Sequence, residues 1–124
     1  MANGKIKADT LEHSTAGSLD TQYVVQGSAK AWCNFNGTGT LAVNDSFSIS
    51  SVTDNTTATY TPNILSAFSN SSYSMVACLG HTNKSDGWGI LEDTNTARTT
   101  TATKVVAYNG DFTVNSMLWN GDLA

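Results

Sequence analysis

Apolar and polar residues alternate along much of the chain with a period of two, the pattern of an extended strand with two unlike faces. In AKAWCNFN, residues 29–36, Ala29, Ala31, Cys33 and Phe35 fall on one side and Lys30, Trp32 and Asn34 on the other. The first side is small and apolar and predicts a core face. The second is polar except for Trp32, so a large apolar ring is expected on the outside of a strand.

Further alternating segments follow. QYVVQ (22–26) reads as a strand. TLAVN carries Leu41 and Val43 on one face, and SFSISSV carries Phe47 and Ile49 in phase but Val52 out of phase, so a bulge or strand end is predicted at Ser50–Ser51. TTATYT places Ala58 and Tyr60 together. SYSMVACLG is apolar on both sides, Tyr73, Met75, Ala77 and Leu79 against Val76 and Cys78, and reads as a central strand. RTTTATKVVAY and DFTVNSMLW are separated by Asn109–Gly110, a strong two-residue hairpin signal. WGIL is short, and Trp119 is expected in or capping the last strand. The best candidate for a short helix or turn is NILSAFSN (63–70), just after Pro62.

Between these segments stand turn sequences: NGTG, TDN, SNSS, NKSDG and EDTN. Short strands at this spacing predict an all-β fold, an antiparallel β-sandwich or jelly-roll-like domain over residues 29–124. Residues 1–28 differ. Ile6, Leu11 and Leu19 are their large apolar anchors, too few for a core, and predict an extended N-terminal arm that lies against something else.

Composition sharpens this picture. Only 13% of the 124 residues are charged, about half the usual share. Ser, Thr, Asn and Gly stand in their place, which favours strands and turns over helices. The net charge of −4 and the absence of a basic patch argue against nucleic-acid binding. No apolar run approaches the roughly 20 residues that span a bilayer, and the polar stretch after Met1 predicts no secretory signal. Cys33 and Cys78 are accordingly expected to be buried, unbridged thiols.

Candidate chemistry is sparse. His13 and His81 lie in polar stretches near turn residues, and no nucleophile elbow accompanies them. The carboxylates are scattered, no metal-ligand spacing is present, and no cofactor is implied. The expectation is a protein that is not an enzyme. Trp88, between two glycines in HTNKSDGWG, has two readings: a ring folded onto the sandwich, or an exposed platform for a sugar, with Asn83, Ser85 and Asp86 binding its hydroxyls.

AKAWCNFNGTGT and the stretch after it, notably DSFSISSVTDN and the Tyr-Thr pair at Tyr60–Thr61, resemble a module found in bacteriophage tail-fibre and related virion proteins, often marine ones. The likeness covers roughly residues 5–122 and is most specific at 29–40 and 46–55. Cys33 stands where that module usually has Val. The resemblance implies a virion surface protein made in the host cytoplasm and assembled as a homotrimer, with Trp32, Lys30 and Asn34 at the subunit interface. It implies a short tail fibre or tip that binds a host-surface glycan. The alternative is a capsid decoration protein that braces the shell through its arm, and a glycan-degrading enzyme is the outsider. In either virion reading the partners are other copies and a tail adaptor or the capsid, through Ile6, Leu11 and Leu19.

Overall fold

Ala31, Cys33 and Phe35 are buried to 1% exposure or less, while Trp32, Asn34 and Asn36 between them are half-buried, so the alternation read from the sequence is realised in space. This holds in a computed structural model of the chain, which describes residues 4, 6–80, 89–108 and 110–124. The protein is an all-β, sandwich-like arrangement of antiparallel sheets.

Two short strands, β1 (Thr10–His13) and β2 (Gly17–Asp20), pair with each other ahead of the sandwich, and the helix α1 (Thr21–Gly27) follows. The first sheet has the order β4-β3-β10-β7, from β3 (Ala31–Asn36), β4 (Ala42–Phe47), β7 (Ser74–Gly80) and β10 (Val114–Asn120). The second has the order β5-β6-β9-β8, from β5 (Ile49–Thr56), β6 (Thr59–Ile64), β8 (Ile90–Glu92) and β9 (Val105–Ala107). The chain passes from β4 into β5 around Ser48, whose φ of 54° lies in the left-handed region and turns one sheet edge into the other.

The core lies between the inner faces. Ala31, Cys33, Phe35, Met117 and Trp119 of the first sheet face Tyr60, Ile64, Val105 and Ala107 of the second. The rings of Phe35 and Tyr60 meet edge to face with centroids 5.0 Å apart. The Asp111 carboxylate joins the layers at one end, where its Oδ1 accepts the Ala58 amide at 2.6 Å and the Tyr60 hydroxyl at 2.5 Å. Gly37 packs directly on that hydroxyl. A Cβ there would stand 2.2 Å from the Tyr60 oxygen, so only glycine fits.

Several expectations are corrected. QYVVQ is helical, within α1, and a helix satisfies its own backbone. The arm is consequently a hairpin followed by a helix, not an extended strand. NILSAFSN is neither helix nor simple turn. Its first two residues end β6, and Phe68 then drops into the core with its amide bonded to the Thr100 carbonyl. The hairpin predicted between the segments around Asn109–Gly110 does not form, since β9 and β10 belong to different sheets; Asn109 itself lies outside the described residues. Of RTTTATKVVAY only Val105–Ala107 is a strand. β7 ends its sheet and is not central. The slip predicted at Ser50–Ser51 is present as a register shift between Ile49 and Ser51.

Candidate functional site

The outer face of the first sheet explains Trp32. The register places Phe47 opposite Trp32, Trp32 opposite Leu118 and Leu118 opposite Val76. Because side chains on paired residues point to the same side, these four make one apolar row across all four strands. Phe47 is 55% exposed, Val76 63% and Leu118 37%, while Trp32, flanked by Phe47 and Leu118, is half-buried. Trp32, Leu118 and Val76 border a shallow depression of about 220 Å³, completed by Asn34, Ser116 and Cys78.

Those last three belong to the neighbouring row, Asp45–Asn34–Ser116–Cys78. Asn34 is satisfied from both sides: its Oδ1 accepts Asn44 Nδ2 at 2.7 Å, and its Nδ2 donates to Ser116 Oγ at 2.6 Å. Asn34 and Ser116 meet much of their own hydrogen-bonding demand, so covering that middle part of the row costs little desolvation, while the Asp45 carboxylate at its end stays in water. On the other side of the apolar row, Lys30 and Asn120 hold the root of the arm. Lys30 Nζ donates to the Val25 carbonyl, and Asn120 Nδ2 donates to the Gly27 carbonyl at 2.9 Å. Of the expected interface residues, Trp32 and Asn34 share this face and Lys30 stands at its rim. Phe47, Leu118, Val76 and Ser116 were not singled out from the sequence. Their alternation is visible there, but only the strand order brings them beside Trp32.

The two thiols are unlike. Cys33 is buried and unbridged, and burial pushes its pKa up to about 12. Cys78 is also unbridged but exposed, which corrects the expectation of burial. It points outward with Val76 because β7 has no layer over its outer side among the described residues.

The arm is bare. α1 has no buried residue, and Tyr23 and Val25 are 62% and 63% exposed. Leu11 and Leu19 are cross-strand partners, and both are about half exposed. Ile6, Leu11, Val24 and Val25 border an open apolar concavity of about 300 Å³. His13 is taken up by the hairpin turn, its Nδ1 accepting the Ala16 amide at 3.1 Å.

Other features read as structural. Arg98 pairs with Glu92 through both nitrogens of its fork and lies 4.9 Å over the Tyr73 ring. The hydrogen bond from Arg98 holds the Glu92 carboxyl below its usual range. A cavity of about 310 Å³ near Gln26, Asn70, Ser72 and Asp122 has polar walls, but Phe68 and Tyr73 beneath it are buried and stacked on each other, so no ring face is open to a sugar. Among the described residues no three His, Cys, Asp or Glu side chains group to hold a metal, and no helix is long and apolar enough to cross a membrane. The proposed sugar platform, Asn83, Ser85, Asp86 and Trp88, lies outside the described residues, as does His81. Comparison with protein families, with curated proteins and with solved structures finds no match to this chain.

Proposed function

We propose that the chain is a non-enzymatic, self-assembling surface protein of a bacteriophage particle, a short fibre or tip built as a homotrimer. The observation that carries this reading is the apolar row Phe47–Trp32–Leu118–Val76, spread across a whole sheet and open to water. A soluble monomer gains nothing from four large apolar side chains in line on its outside, whereas a subunit interface removes them from water. The resemblance of AKAWCNFNGTGT to tail-fibre modules supports the same reading. In it the sandwich is the repeating unit, the arm is its connector, and residues 81–88, outside the described residues, are the candidate glycan-binding segment. The unburied arm favours a second reading as well, a decoration protein pinned to the capsid. Light scattering at micromolar concentration tests the assembly: three chains are expected, and a lone 13.1 kDa species overturns it. Labelling the protein on intact particles separates tail from capsid.

A further inference from the structure

We propose that, in the assembled protein, the arm of one copy lies across the Trp32 row of the next, with Val24 and Val25 of α1, which share one apolar side of the arm with Ile6 and Leu11, seated against Trp32, Leu118 and Val76. This builds on the self-assembly put forward above and says which surfaces meet.

Three observations carry it. First, one chain leaves two apolar surfaces open, and they do not cover each other: Val76 is 63% exposed on the sheet and Val25 63% exposed on the helix. Yet α1 is rooted at the rim of that very face by Lys30 and Asn120, so in a ring of copies each arm starts beside one row and reaches for another.

Second, the sizes match. Seven helical residues run about 10 Å, and a row across four strands spans about 14 Å. Neither TQYVVQG nor the row contains a formal charge, so the centre of the contact holds no ion, and Lys30 and Asp45 flank it.

Third, area decides between two ways of self-association. The open parts of the four row residues amount to roughly 300 Å². Two rows face to face supply roughly 600 Å² of apolar surface, and with somewhat more than half of an interface apolar, that implies about 1,000 Å² in all, short of a stable contact. A row against an arm adds the open parts of Ile6, Leu11, Leu19, Val24 and Val25, up to roughly 500 Å² more. The total then reaches about 1,400 Å², within the range of stable contacts. Row against arm is a heterologous contact, which closes into a ring when the rotation between copies permits, and three copies close at 120°.

Cys78 makes the test direct, since it lies on the depression that receives the arm while Cys33 is buried. Val25→Cys is placed in the full chain, an exposed position that tolerates the change, and the protein is oxidised with copper–phenanthroline at assembling concentration. Covalent dimers and trimers on a non-reducing gel, lost when Cys78→Ser is added, are expected. Trp32→Ser and Val25→Ser should each weaken association at least about tenfold, and the pair should weaken it by less than the product of the two. A disulfide confined within single chains means the arm folds onto its own sheet and overturns the proposal. A trimer by light scattering with no link between the introduced thiol and Cys78 overturns arm exchange while leaving self-assembly standing, with the arm then free for a virion protein. A monomer at every concentration overturns both.

Discussion

The two sheets turn opposite materials outward. The first shows the row Phe47–Trp32–Leu118–Val76. The second shows a ladder of hydroxyls and amides, in which Asn63 Nδ2 donates to Ser51 Oγ at 3.0 Å and to Thr53 Oγ1 at 3.1 Å, and Asn55 Nδ2 donates to Thr61 Oγ1 at 2.9 Å. Among the described residues of that ladder, its β8–β9 end carries the apolar pair Leu91 opposite Val106. Both sheets bury equally apolar inner faces, so the core does not explain the difference. A face whose side chains satisfy one another is finished as it stands. In the proposed assembly, the face of aligned apolar side chains is half of a contact.

The sharpest test sets two tryptophans of the same sheet against each other. Trp119 is fully buried and Trp32 lies on the outer row. Trp119→Ala should cost about 3–5 kcal/mol in urea unfolding, whereas Trp32→Ala should cost the dilute, dissociated chain about 1 kcal/mol and express itself in association. Equal costs would mean that Trp32 belongs to the core.

Alkaline titration probes the inner side. Burial raises the Cys33 pKa to about 12 and also raises that of Tyr60, which donates to Asp111. A raised pKa stabilises the fold fully below the ordinary value and loses that contribution as pH climbs toward the folded one. The unfolding free energy from urea titration should therefore hold up to about pH 9 and fall by a few kcal/mol by pH 11, with Cys33→Ala flattening part of the slope. Over the same range below pH 9, Cys78 should react with a thiol reagent in the dissociated native protein and Cys33 only after unfolding.

Charge placement compares the two outsides directly. Leu118→Lys should weaken association about 100-fold, while Thr61→Lys on the other sheet should leave it unchanged in analytical ultracentrifugation. If both disrupt assembly, the interface lies elsewhere. The smallest effect belongs to the amides. Asn63→Ala and Asn34→Ala should each cost about 1 kcal/mol of folding stability, but only Asn34→Ala should also shift the association equilibrium.

The alternation of Ala31, Cys33 and Phe35 made the core face legible, and Trp32 stood out as a ring on the wrong side. What local pattern could not supply was strand order. β7 is apolar on both sides for a reason that also fits a central strand; only its place at the sheet end shows that Val76 and Cys78 face open water. Asn109–Gly110 carries hairpin chemistry, yet the strands that follow and precede it part to different sheets, a choice made by Val105, Ala107, Met117 and Trp119 packing across the core. QYVVQ alternates too weakly to separate helix from strand, and the structure makes it a helix. The candidate interface was thus half legible: its central residue from sequence, its neighbours only from pairing.

The tie at Asp111 has a mechanical consequence. Its carboxylate links the crossing into β10 to the β5–β6 turn, and Gly37 closes the gap beneath Tyr60 with no slack. Antiparallel strands pulled from one end tend to peel apart bond by bond. Here a tug on β10 is passed through Asp111 to Ala58 and Tyr60 at the same moment, so the load divides between both sheets. Slippage of one layer over the other must break the carboxylate's two bonds together, and that end of the sandwich resists shear as a block.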